Sequence, residues 1–211
     1  MKTVYFVRHG STPLLESSSY QDHGTPLSEQ GIRQAQTVSK RFASIFVDRI
    51  FSSTMERAAQ TARAIAEPKS QEVEQLPIFN EILRPSAIRG KPRDDSEVAR
   101  IFAEVTGYFG DANRRHSDEE NFYDLKARAN EAIGFLESRT EERILVVTHG
   151  VFLKMILAAM MFGSELTSRE FHGVDKFLYP RNTGITKCTL KEERWRLMTW
   201  NDDEHLGELI D

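Results

Sequence analysis

Thr3, Val4, Tyr5, Phe6 and Val7 form an unbroken β-branched and aromatic run, and Arg8, His9, Gly10 and Ser11 follow it without a spacer. A run of this length and composition reads as a buried strand, and a glycine directly behind it lets the backbone turn sharply. Such a strand belongs in an open α/β sheet, where ligand sites sit at the carboxyl ends of the strands. His9 and Arg8 are therefore placed at a strand mouth.

Two later segments repeat the arrangement. Arg143 to Val147 is a second buried-strand pattern that runs into Thr148, His149 and Gly150, then into an apolar, helix-like stretch from Val151 to Met161. Arg49 to Phe51 is shorter. The Ser53 and Glu56 that follow have capping-box spacing, which predicts a helix with Arg57 in its first turn. If the three strands are parallel neighbours, two imidazoles and two guanidiniums converge on one sheet edge. Helix amino-termini point to the same edge and favour an anion, so the ligand implied is a phosphate-like dianion.

Composition narrows the class. At 211 residues the chain fits one domain with a substantial core. Its net charge of −4, with both signs scattered, gives no footprint for nucleic acid. Cys188 is the only cysteine, so no intrachain disulfide framework exists and a reducing compartment is compatible. The early apolar run is too short for a signal-peptide core, and the stretch from Val151 to Phe162 falls below the roughly 20 residues that span a bilayer. No membrane association and a cytoplasmic location are the expectations. No feature sets the oligomeric state.

Helical periodicity appears at Ala35, Val38, Phe42 and Ile45, at Met55, Ala58, Ala62 and Ile65, at Val98, Ile101, Phe102 and Val105, and from Phe122 to Leu136. The last two helices fall between the second and third motif regions, where a plain βα connection takes about 2 to 6 residues. The expectation is one domain, residues 1–211, with a helical insertion at about 84–140 over the site. Gly184 to Leu190 and Trp195 to Trp200 read as a hairpin at the sheet margin.

Arg8-His9-Gly10 is followed in order by Pro26-Leu-Ser-Glu-Gln-Gly31 with Gln34 and Ala35, by Ser52 to Ala58 with Gln60, Thr61 and Ala62, and by Thr148-His149-Gly150. Together these resemble the histidine phosphatase superfamily, also called phosphoglycerate mutase-like. Any one match is weak, but four in register are specific. The resemblance implies an α/β three-layer sandwich with a mostly parallel central sheet flanked by helices. It also implies a metal-independent phosphomonoesterase acting on a small phosphorylated substrate, with no cofactor.

His9 is the candidate nucleophile, since a neutral imidazole can attack phosphorus and split one hard displacement into two. Arg8 and Arg57 disfavour the imidazolium and clamp phosphoryl oxygens, with His149 adding a hydrogen bond and Thr12 a nearby hydroxyl. No metal is expected, because no metal-ligand spacing occurs and two guanidiniums oppose a divalent cation. Glu81, after an apparent strand from Val73 to Leu76, stands where the family carries its general acid. A nearby phosphate dianion would help keep such an acid protonated.

Two positions depart from the family. Leu15 stands where many members have asparagine, six residues after the nucleophile. After Glu81 the chain reads Arg84 to Arg93, with Arg84, Arg89, Lys91 and Arg93 as cations in ten residues, instead of a segment containing glycine and tryptophan. That segment either receives a second anionic group or is a solvated loop. A mutase-like isomerase and a non-catalytic phospho-ligand binder are the rival functions.

Overall fold

A computed structural model of the chain describes residues 1–209. Strands β1 (Lys2–Arg8), β2 (Arg49–Ser52), β3 (Val73–Gln75), β4 (Arg143–Thr148), β5 (Ile185–Lys191) and β6 (Arg194–Asp202) form one sheet in the order β3-β2-β4-β1-β5-β6. The first four are parallel, and β5 and β6 are antiparallel. The three strands that carry the motifs are therefore adjacent, with Arg8 opposite Thr148 and Ser52 opposite Val147. The hairpin read from the sequence is β5 and β6, at one margin.

The strands β1, β2 and β4 are apolar on both faces because each face meets helices, as buried parallel sheets require. On one face Val4, Phe6, Phe51, Ile144 and Val146 pack with helices α5 (Phe122–Ser138) and α6 (Gly150–Phe162). On the other, Val7, Ile50, Leu145 and Val147 pack with α2 (Glu29–Phe42) and α3 (Glu56–Ala66). The alternation from residue to residue along β4 is the period of two that a pleated strand imposes. The fold is a three-layer α/β sandwich. A single-turn helix α1 (Pro13–Glu16) follows β1.

The stretch 84–140 divides into two parts. Helix α4 (Ser96–Gly107) builds a small cluster of its own, in which Val98, Ile101 and Val105 pack with Tyr20, Ile88 and Tyr108. Helix α5, however, puts Leu125, Ala129, Ala132 and Leu136 into the main core and so forms part of a sandwich layer. Only the part before Asn121 lies outside those layers. Helix α7 (Ser168–Phe177) was not legible from periodicity, although Thr167 and Glu170 form the capping box that starts it. Among the described residues no helix is long and apolar enough to cross a membrane.

Candidate active site

The chain between β1 and α1 is held by its backbone. The His9 N–H donates to Thr148 O at 3.0 Å, and its carbonyl accepts from Asn182 Nδ2 at 2.8 Å. The next two N–H groups, of Gly10 and Ser11, donate to Thr61 Oγ1 and Gln34 Oε1 at 3.1 and 2.8 Å. Gly10 does not have a positive φ. Its requirement is space, since a Cβ there would lie 2.6 Å from Gly31 O, and one on Gly31 would lie 2.0 Å from Ser11 O. The sharp turn expected at Gly10 is instead a close crossing of two backbones.

His9 is 1% exposed, and its Nδ1 lies 2.7 Å from its neighbour's carbonyl, Gly10 O. A carbonyl only accepts, so Nδ1 carries the proton and Nε2 keeps its lone pair. Arg57 Nε donates to that Nε2 at 3.3 Å, consistent with the same tautomer. Burial first, then the Arg57 and Arg8 charges, hold the His9 imidazolium well below its usual range of stability, so the ring is neutral. Arg57 is itself 2% exposed, with Nη1 donating to Asp22 O at 2.8 Å, and burial pushes it down to about 10. It stays charged near neutrality.

His149 is fully buried, and its ring centroid lies 5.0 Å from that of His9. Its Nε2 meets Ser53 Oγ at 2.7 Å, and that hydroxyl also bonds Asn80 Oδ1 at 2.7 Å. Asn80 Oδ1 can only accept, so Ser53 gives its proton there and receives the His149 Nε2–H. His149 Nδ1 has no hydrogen-bond partner among the described residues. Burial, followed by Arg57 and the His9 ring, also lowers the His149 pKa. The second guanidinium, Arg8, anchors Nη1 on Pro180 O at 2.5 Å.

Glu81 stands beside α6. Its carboxylate accepts from the N–H groups of Ile82, Phe152 and Val151 at 3.0, 2.9 and 3.1 Å. The anion at the α6 amino-terminus is thus Glu81 itself, where the sequence suggested the ligand. The segment that carries it is pinned by Arg128 of α5, which donates to Asn80 O at 2.7 Å and pairs with Glu120 at 2.7 Å. Glu120 in turn accepts from Leu83 N–H at 2.9 Å. Arg57 and Glu81 line one cavity of about 240 Å³.

Two residues sit differently from their sequence reading. Thr12 is completely buried, donates its hydroxyl proton to Gln21 Oε1 at 2.9 Å and accepts from Leu15 N–H at 3.1 Å as the cap of α1. Its one proton is engaged, so Thr12 as arranged has nothing to donate to a phosphoryl oxygen. Ser53 does not cap α3, whose cap position is Met55; the Met55 side chain makes no capping bond, its Sδ accepting instead from Arg57 Nη2 at 3.1 Å. The hydroxyl that spelled a capping box accepts from the Met55 N–H at 3.0 Å, one residue before the helix, and otherwise serves Asn80 and His149. Ser53, Asn80, Asn182 and Arg128 carry no signal of these roles in the sequence, because they act through polar contacts between distant segments that leave no periodic trace. Among the described residues no three His, Cys, Asp or Glu side chains gather as a metal site.

Two buried imidazoles and two guanidiniums at the mouths of adjacent parallel strands are what a phosphoryl-transfer site of one known kind requires. The chain belongs to the histidine phosphatase superfamily (branch 1), whose family model matches residues 4–203. It is 28% identical over 202 residues to a probable phosphoglycerate mutase GpmB of Yersinia pestis (strain Pestoides F), covering 95% of this chain and 90% of that one. The solved structure of Bacillus stearothermophilus YhfR matches with a TM-score of 0.83 at 25% identity, covering 98% of this chain and 100% of that one. A putative alpha-ribazole-5'-P phosphatase from Escherichia coli str. K-12 substr. MG1655 matches with a TM-score of 0.82 at 22% identity, over 95% and 96%. At that identity the likeness is one of fold.

Proposed function

We propose that the protein is a metal-independent phosphomonoesterase that hydrolyses a small phosphorylated metabolite through a phosphohistidine on His9. The observation that carries this reading is the His9 tautomer. With Nδ1–H held on Gly10 O, the lone pair at Nε2 is the one available for attack. The substrate phosphoryl group takes the place of the Nε2 contact to Arg57, whose Nε and Nη groups then meet the phosphoryl oxygens. Arg8 supplies the second cation, and His149 adds a further contact by taking a proton at Nδ1 as the phosphoryl dianion arrives, since the neutral Nε2–H ring has only a lone pair there. The Nε2–P bond forms as the P–O bond to the alcohol breaks, and Glu81 delivers the proton to the departing alkoxide.

In the second half, water attacks phosphorus, Glu81 takes its proton, the N–P bond breaks and inorganic phosphate leaves. Glu81 is suited to both halves by position. Its Oε2 accepts one N–H bond, from Val151, and so retains a lone pair toward the cavity chemistry. A mutase reading is favoured by one observation, the name of the 28% identical Yersinia relative. It shares the His9 intermediate but returns the phosphoryl group to the bound alcohol.

The test is rapid quenching of a turnover with a phosphate-labelled ester in excess chelator. A label on His9 that is acid-labile and comparatively stable in base is expected, with free phosphate released on completion. Label on another residue, near-normal turnover in His9→Ala, or a dependence on added divalent ion overturns the proposal. Intermediate without net phosphate release selects the mutase.

A further inference from the structure

Of the four cations in the segment after Glu81, Lys91 is exposed and lines no part of the cavity around Arg57 and Glu81, whereas Arg84, Arg89 and Arg93 line it. Arg89 is already paired with Asp118, which leaves Arg84 and Arg93. Arg84 lies over the Phe102 ring at 5.3 Å and Arg93 over the Tyr20 ring at 4.8 Å, and the two rings contact each other at 5.4 Å. Among the described residues neither guanidinium makes a side-chain hydrogen bond or an ion pair. The carboxylates whose field reaches Arg84 are engaged elsewhere, Glu81 on the α6 N–H groups and Asp175 on Lys154.

Stacking on an aromatic face uses the flat side of a guanidinium and leaves the N–H fork at its edge unused. That fork fits the paired oxygens of a carboxylate or phosphate. We propose that Arg84 and Arg93, stacked on Phe102 and Tyr20, form a second oxyanion subsite, so that the preferred substrate is a compact phosphomonoester whose alcohol carries another anionic group. The proposal rests on the phosphatase reading for the word substrate but not for binding. Compactness follows from the cavity of about 240 Å³, below the roughly 300–1,000 Å³ of sites for drug-sized ligands. A larger cavity of about 760 Å³ shares Arg84 and Phe102 with it.

The experiment measures binding without turnover. Calorimetry compares 3-phosphonopropionate with 3-hydroxypropylphosphonate, which differ in one carboxylate. The unmodified protein should prefer the former by about tenfold or more, the scale of one charge-assisted contact. The preference should fall in part in Arg84→Gln and in Arg93→Gln, collapse toward unity in the double variant, and persist in Lys91→Gln. No preference in the unmodified protein, or an unaltered one in a folded double variant, overturns the subsite. In turnover, phosphoglycolate and ethylene glycol bisphosphate should both show a lower KM than 2-hydroxyethyl phosphate, and whichever gains more identifies the second anion as carboxylate or phosphate. Phosphate release from all three at equal KM removes the subsite and leaves the phosphatase. Discrimination between the phosphonates with no phosphate released from any ester removes the phosphatase and leaves the subsite.

Discussion

The two ends of the site are built on different principles. At the phosphoryl end, His9, Arg57 and His149 are buried to 2% exposure or less, and their neighbours are backbone carbonyls, β-strand mouths and each other. At the leaving-group end, Arg84 is half-buried, Arg93 is exposed, and both stand on a segment with its own small cluster around α4. Sheet topology fixes the first. A locally packed excursion fixes the second, and such segments vary at low cost to the sandwich beneath them. On the proposed reading, the chemistry rests on the first end and substrate choice on the segment after Glu81.

The largest effects should come from the buried end. Arg57→Ala should lower kcat/KM on the order of 100- to 1,000-fold, because it removes a preorganised charge from the position where negative charge develops. Vanadate inhibition should weaken with it. Vanadate affinity unchanged in a folded Arg57→Ala protein would place the clamp elsewhere and break the contrast between the two ends.

Glu81 sits on the boundary between them. Glu81→Gln should slow alkyl phosphates on the order of 100-fold, the usual scale of general acid catalysis. The first chemical step with p-nitrophenyl phosphate should suffer less, because its phenolate leaves without a proton. Equal losses in that step would make Glu81 a positioning group for α6 and the cavity wall.

How much of this was legible follows the same division. His9, Arg57 and His149 were readable because each follows a buried strand, and strand order brought them to one edge. Helices α2 to α6 were readable from apolar spacing. What failed was anything decided by a single polar partner. Ser53 with Glu56 and Thr167 with Glu170 have the same spelling, yet only Thr167 caps its helix, because Ser53 is taken by Asn80 and His149. Chain position alone groups helix α5 with the insertion, because it says nothing about which core the helix joins. Arg128, which ties α5 to the Glu81 segment, had no signature at all.

The buried imidazoles also predict an acid limit to stability. Both have pKa values lowered in the folded state, so below the ordinary 6.5 the unfolded chain binds protons that the native one does not. Stability then rises with pH across that window and is lost as pH falls through it, with a slope of about 1.4 kcal/mol per pH unit for each histidine. Denaturant midpoints measured from pH 7 downward should show this slope, reduced in His149→Asn. A flat profile between pH 6.5 and 5 would mean that the pair is not held neutral.

The smallest effect tests where the phosphoryl end stops. Thr12 lies three residues after His9, but its hydroxyl caps α1 and bonds Gln21. Removing such a cap costs about 1 kcal/mol, so Thr12→Ala should lower stability by that amount while leaving vanadate affinity and kcat close to those of the unmodified protein. Ser11 and Gly10 should hold their backbone positions, because their N–H groups are fixed by Gln34 and Thr61 and not by Thr12. The opposite outcome, a loss of vanadate affinity at unchanged stability, would mean that Thr12 turns its hydroxyl from Gln21 to the phosphoryl group when ligand arrives. The buried end would then contain one contact that ligand binding assembles, and its rigidity would no longer separate it from the leaving-group end.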